Sequence, residues 1–256
     1  MTENVIMEAQ NLSKVFGGLV AVDDVSLQVR AQTMHAIIGP NGAGKTTLFN
    51  LLSGMMPPTL GKILYKGEDI THLPPQRRAH KGIGRSFQIT NIFPNLSVLE
   101  NIRLGTQALG NDNFKLMKAA DDFELYIEKA MAVIETVGLN GREAMLARNL
   151  PHGEKRKLEL GIMLAGEPEM LLFDEPTAGM SSEQVPELIK IINKVVREKN
   201  RTAILVEHRM DMVMSVSDTI TVMAQGRVLA EGSPQDIARN KQVQSAYLGD
   251  LYGELA

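Results

Sequence analysis

Apolar and polar positions change their period several times along this chain, and the changes divide it. Residues 5–30 alternate in strand fashion. Leu12-Ser13-Lys14-Val15-Phe16 and Val25-Ser26-Leu27-Gln28-Val29 flank Gly17-Gly18, which predicts an antiparallel hairpin. Met34-His35-Ala36-Ile37-Ile38, Met170-Leu171-Leu172-Phe173 and Thr202-Ala203-Ile204-Leu205-Val206 are short, nearly continuous apolar runs of the kind buried on both faces of a sheet. Further strands are predicted at 62–66, ending on Gly67, and at 83–88, ending on Gln88. Residues 219–230 predict a hairpin turning at Gln225-Gly226.

Helical spacing governs the rest. Leu48, Leu51 and Leu52 share a face before Gly54, and a short helix starts on Pro75. Ser97-Val98-Leu99-Glu100 is a capping box; after the polar break at 110–113, Phe123, Ile127, Ala130, Ile134 and Val137 recur until Gly138. Leu158, Ile162 and Leu164 lead to Gly166, and Val185, Leu188, Ile189, Ile192 and Val196 mark a helix ending near Asn200. Ser233-Pro234 opens a last helix, ending near Tyr247-Leu248-Gly249. Strand–helix alternation is thus interrupted by a mainly helical stretch. The expected fold is α/β, with a core at 1–88 and 166–256, an N-terminal antiparallel β piece, and an inserted α-helical subdomain at 89–165.

Composition narrows the setting. The chain has 256 residues, 44% of them hydrophobic, enough for a sizeable core. A net charge of −3 offers no overall basic field, so a nucleic-acid partner is not expected. No apolar run approaches the roughly 20 residues that span a bilayer, and Met1-Thr2-Glu3-Asn4 lacks the pattern of a signal peptide. With no cysteine, disulfides and thiolate metal sites are excluded. A cytoplasmic location is expected, with any membrane role peripheral.

The strongest chemistry lies at Gly39-Pro40-Asn41-Gly42-Ala43-Gly44-Lys45-Thr46-Thr47, between a predicted strand and helix. Glycines let backbone N–H groups close on a polyphosphate, Lys45 reaches its β/γ oxygens, and the Thr46 hydroxyl reaches Mg²⁺. The core is therefore expected to be of P-loop NTPase type. Asp174 and Glu175 follow the apolar run 170–173, where one carboxylate can hold Mg²⁺ and the other can orient the water attacking a γ-phosphate. Three further positions each carry two readings, and a fourth, His208, carries one. Phe16 is a ring that stacks on a purine or a buried strand residue, and Gln88 is a ligand-facing or a solvated side chain. Leu150-Pro151-His152-Gly153-Glu154 is an anion-binding or an ordinary helix start. His208 follows the run 202–206, placed to touch a γ-phosphate.

Taken in order, the phosphate loop, Gln88, residues 150–154, Phe173-Asp174-Glu175 and His208 resemble the ATPase subunits of ABC transporters over essentially the whole chain. Gly84-Arg85-Ser86-Phe87-Gln88, Ile92-Phe93-Pro94, Leu96-Ser97-Val98, Val206-Glu207-His208 and Ala246-Tyr247-Leu248-Gly249 look most like those of branched-chain amino-acid importers. The resemblance implies adenine stacking on Phe16 and a Gln88 that senses γ-phosphate and Mg²⁺ while facing the membrane partner. It also implies a dimer-interface loop at Ala178-Gly179-Met180 and a switch role for His208. Implied partners are membrane-spanning permease subunits, a second ABC ATPase in a homodimer or heterodimer, and, indirectly, a periplasmic or extracellular solute-binding protein. One departure stands out: the family signature Leu-Ser-Gly-Gly-Gln is here Leu150-Pro151-His152-Gly153-Glu154, so Pro151, without an N–H, and His152 replace the serine and first glycine that contact the partner's γ-phosphate. Gly153 remains. The expectation is an ATP-hydrolysing importer subunit; the alternatives are a regulatory ATP-binding subunit of a heterodimer, or a soluble ABC ATPase not coupled to transport.

Overall fold

The computed structural model describes residues 4–86, 92–108 and 120–246, the side chains at 120–123 excepted. Gln88 therefore lies outside the described residues, as do the side chain of Phe123 and residues 247–249. The predicted N-terminal hairpin forms β1 (Val5–Phe16) and β2 (Leu19–Arg30), and β4 (Leu60–Tyr65) and β5 (Glu68–Asp69) extend it into an antiparallel sheet of order β2-β1-β4-β5.

The second sheet carries the three apolar runs as its centre. Its order is β10-β9-β3-β8-β7-β6, from β3 (Met34–Ile38), β6 (Ile83–Arg85), β7 (Met170–Asp174), β8 (Thr202–Val206), β9 (Thr219–Ala224) and β10 (Arg227–Gly232). Strands β9, β3, β8, β7 and β6 run parallel, whereas β10 returns antiparallel through the Gln225-Gly226 turn. Every residue of β3, β7 and β8 is buried, because helices cover both faces of a parallel sheet.

One face receives α1 (Lys45–Leu52), through Leu48, Phe49, Leu51 and Leu52, together with the antiparallel sheet. Arg78 on α2 (Pro75–His80) is 1% exposed and donates to the carbonyls of Leu51, Leu52, Ile70, Thr71 and Leu73. Its guanidinium thereby satisfies the end of α1, and burial pushes its pKa down to about 10.

The other face packs α3 (Val98–Ala108), α4 (Ala120–Thr136), α5 (His152–Ala165), α6 (Val185–Glu198) and α7 (Met210–Val216) around Leu171, Phe173 and Leu205. Ser97 caps α3 by accepting from the Glu100 N–H at 3.1 Å.

Several expectations are corrected. Of the strand expected at 83–88, the described part is β6 at Ile83–Arg85, after which the Ser86 N–H still donates to the Leu172 oxygen at 2.8 Å; residues 87 and 88 lie outside the described residues. Ile127 is 39% exposed, because the apolar stripe of α4 is covered among the described residues only from Ala130 onward. The last helix is two pieces. α8 (Pro234–Arg239) stops where Asn240 turns extended, and the Asn240 side chain then caps a new helical segment by accepting from the Gln242 and Val243 N–H groups. Helix α7 had no counterpart in the sequence expectation.

Candidate active site

The carboxyl ends of β3, β8 and β7 lie side by side, the edge where parallel α/β sheets take ligands. From β3 the chain enters residues 39–47. Gly39 has φ 152°, and a Cβ there would meet the Met223 carbonyl oxygen at 2.2 Å. Gly44, at φ 95°, would place one 2.4 Å from the Ala21 oxygen. Only glycine fits either position. Pro40 is half-buried, Asn41 and Gly42 are exposed, and Ala43 is buried, its carbonyl accepting from the Gly226 N–H at 3.1 Å. Lys45 is buried, with Nζ donating to the Gly39 and Pro40 carbonyls at 2.7 and 2.8 Å. Thr46 is exposed and Thr47 half-buried at the start of α1. Together with Val20 and Gln225, this loop lines a cleft of about 470 Å³.

Two strands away, β7 ends on Asp174. It is 2% exposed, and neither carboxylate oxygen has a hydrogen-bond partner among the described residues. The Arg85 guanidinium approaches to 3.9 Å. Burial raises the Asp174 pKa, with Glu175 adding to the effect while Arg85 and His208 oppose it. A buried carboxylate with both oxygens unpaired fits a hard cation such as Mg²⁺, and the Thr46 hydroxyl is an oxygen donor of the same class. Glu175 has φ 47°, a left-handed conformation that costs a non-glycine residue about 1–2 kcal/mol. Its N–H donates to the Val206 oxygen at 2.9 Å, and His208 Nε2 lies 2.7 Å from its Oε1.

A model of the family described as "ABC transporter" matches residues 22–178, and one described as "Branched-chain amino acid ATP-binding cassette transporter" matches residues 227–251. The chain belongs to the ABC transporter family. It is 37% identical over 250 residues to the high-affinity branched-chain amino acid transport ATP-binding protein LivG of Escherichia coli K12, covering 96% of this chain and 98% of that one. It is 38% identical over 250 residues, with the same coverage, to the BraF protein of that description from Pseudomonas aeruginosa. Among solved structures, the ADP conformation of the ATP-binding cassette MJ1267 superposes with a TM-score of 0.83 at 29% identity, covering 96% of this chain and 99% of that one. The fold is that of an ABC ATPase, and the chain is a nucleotide-binding transport ATPase.

For this ABC ATPase the structure brings residues 39–47, Asp174, Glu175 and His208 to one edge of the sheet. Phe16 is 46% exposed and pairs with Leu19, which lines the phosphate-loop cleft, so the buried-strand reading of Phe16 is set aside. Gly153 does not line that cleft. It sits buried at the start of α5, where an added Cβ would lie 2.9 Å from Gln184. Gly226, Arg85 and Glu207 stand in the sequence only as a turn residue and as parts of the family-like motifs; their contacts with Ala43, with Asn50 and Ser53, and with Thr177 cross long stretches of chain and were missed.

Proposed function

We propose that this ATPase powers an importer of branched-chain amino acids or related small polar solutes. It would act as a peripheral subunit on the cytoplasmic face of the membrane, beneath separate membrane-spanning permease subunits. Among the described residues no helix is long and apolar enough to cross a membrane. The substrate reading rests on the likeness to LivG and BraF and on the match over residues 227–251. The catalytic reading rests above all on the 2.7 Å contact between His208 and Glu175 beside an unpartnered Asp174.

In this mechanism the amides of residues 39–47 and Lys45 gather the phosphates, with Lys45 leaving its own loop carbonyls to meet them. Thr46, Asp174 and Gln88 would hold Mg²⁺, which when bound neutralises charge on the β- and γ-phosphates. Glu175 orients water in line with the γ-phosphate and accepts its proton, while His208 holds the Glu175 carboxylate in place and contacts the γ-phosphate. Phe16 stacks on the adenine. Residues 89–165 form the inserted helical subdomain. In a head-to-tail dimer, Gly153 and the α5 N-terminus close the partner's nucleotide site and residues 178–180 lie at the interface. An apolar groove of about 500 Å³ beside residues 84–86, lined in part by Met55, Ala79, Ile162, Met163 and Pro168, suits the seating of a permease segment.

Glu175→Gln is the test. It should retain ATP binding, lower turnover by about 10²–10⁴-fold, and dimerise with Mg-ATP by light scattering. Unchanged turnover removes Glu175 from the role of base. A persistent monomer that dimerises only with a second ABC ATPase favours the heterodimer, with Pro151 and His152 as its cause.

A further inference from the structure

The residue before His208 is an acid that the mechanism above does not use. Glu207 is 3% exposed, and its two oxygens face different segments. Oε1 accepts from the Thr177 N–H at 3.2 Å and from the Thr177 hydroxyl at 2.5 Å. Oε2 accepts from the N–H groups of His208 and Arg209 at 3.0 and 3.4 Å. One carboxylate thus joins the loop at 176–180 to the backbone that carries the His208 ring. The same loop is tied to Glu175, whose carbonyl accepts from the Ala178 N–H at 3.0 Å. On its other side it meets residues 150–156: Gly179 packs against His152, where an added Cβ would lie 3.3 Å from the ring, and Arg156 reaches the Ala178 carbonyl at 3.5 Å.

We propose that Glu207 is a positioning residue that makes the 176–180 loop and the His208–Glu175 pair move as one body. Resting on the dimer reading given above, the closure of residues 150–154 and 176–180 against a partner is thereby transmitted within the same chain to the attacking-water site. The chemistry requires a carboxylate. An amide of the same size offers one acceptor and turns its NH₂ toward N–H donors on the other side, so one half of the clamp is lost.

Glu207→Gln is the decisive variant because it keeps the size of the side chain. Its kcat should fall by about 10–100-fold through misplacement of His208, with the KM for ATP within about twofold of wild type, since the phosphate loop is untouched. In a His208→Ala background the same substitution should cost less than about twofold, because a residue acting through His208 has nothing left to position. Multiplicative losses in the double variant, a raised KM at constant kcat, or an unchanged kcat would each overturn the proposal. Hydrogen exchange on the nucleotide-free protein tests the clamp without activity. The Thr177 and His208 amides should both exchange faster in Glu207→Gln by about tenfold, and protection equal to wild type would also overturn it. A wild-type chain that fails to hydrolyse ATP would instead count against the hydrolysing role, leaving the clamp to be decided by exchange.

Discussion

Asp174 and Glu207 stand at the ends of neighbouring parallel strands, both almost completely buried, and their surroundings are opposite. Glu207 accepts four hydrogen bonds from two segments, whereas among the described residues the Asp174 carboxylate accepts none, and the Arg85 guanidinium comes no nearer than 3.9 Å. Burying a carboxylate is costly unless partners replace its hydration. Glu207 has been given those partners by the fold, so it serves structure. Asp174 has been denied them, which is tolerable only if a ligand supplies the compensation when the site works.

The largest expected effect would break this contrast or confirm it by sign. Glu207→Ala should lower stability in urea unfolding by about 2–4 kcal/mol, since it leaves the buried Thr177 N–H and its neighbours without an acceptor. Asp174→Asn should do the reverse, raising stability by about 1 kcal/mol while reducing hydrolysis more than about a hundredfold. Equal losses in both variants would mean that Asp174 is stabilised by something other than a bound cation.

Much of this site was legible because its demands are local. Residues 39–47 must bring backbone amides together within nine positions, and glycine, lysine and threonine at fixed spacing record that demand. Asp174 and Glu175 announce themselves as acids ending an apolar run. Glu207 stands in an equivalent place after β8, but its meaning depends on Thr177, 30 residues earlier, and no period encodes such a pairing. Gly226 meets Ala43 from the far end of the chain for the same reason. Arg78 carries no sequence reading of its own, because its donors close five carbonyls that only the folded chain assembles. The break at Asn240 was missed because a capping asparagine and a solvated one are indistinguishable until the helix axis turns.

A third buried group separates the number of partners from the presence of charge. His35 on β3 is 1% exposed, donates from Nε2 to Thr221 at 2.7 Å, and Thr221 in turn donates to Glu231 at 2.6 Å. Burial, aided by the Arg30 charge, pushes its pKa from 6.5 down to about 4. The unfolded chain therefore takes up this proton at a higher pH than the folded one, so the stability His35 contributes is complete above 6.5 and is lost as pH falls toward 4. Over that window the loss should reach about 3 kcal/mol. His35→Gln, compared with wild type by urea unfolding at both ends of the window, should remove that part of the slope. An unchanged slope would place the acid sensitivity elsewhere.

The smallest effect belongs to the rim, where neither burial nor charge decides. Phe16 ends β1 at 46% exposure, with the Lys14 ammonium 5.3 Å from its ring centroid. A ring so exposed contributes little packing, so Phe16→Ala should leave unfolding free energy within about 0.5 kcal/mol of wild type. Stacking on a base is worth about 1–3 kcal/mol, so the KM for ATP should rise by about 5- to 150-fold while kcat stays constant. Because the stacking interaction is equal in ground and transition states, a fall in kcat would contradict it. An unchanged KM with lost stability would instead return Phe16 to the strand that carries it, and adenine would then have to find its surface on Leu19 and Val20, the exposed apolar pair already lining the cleft.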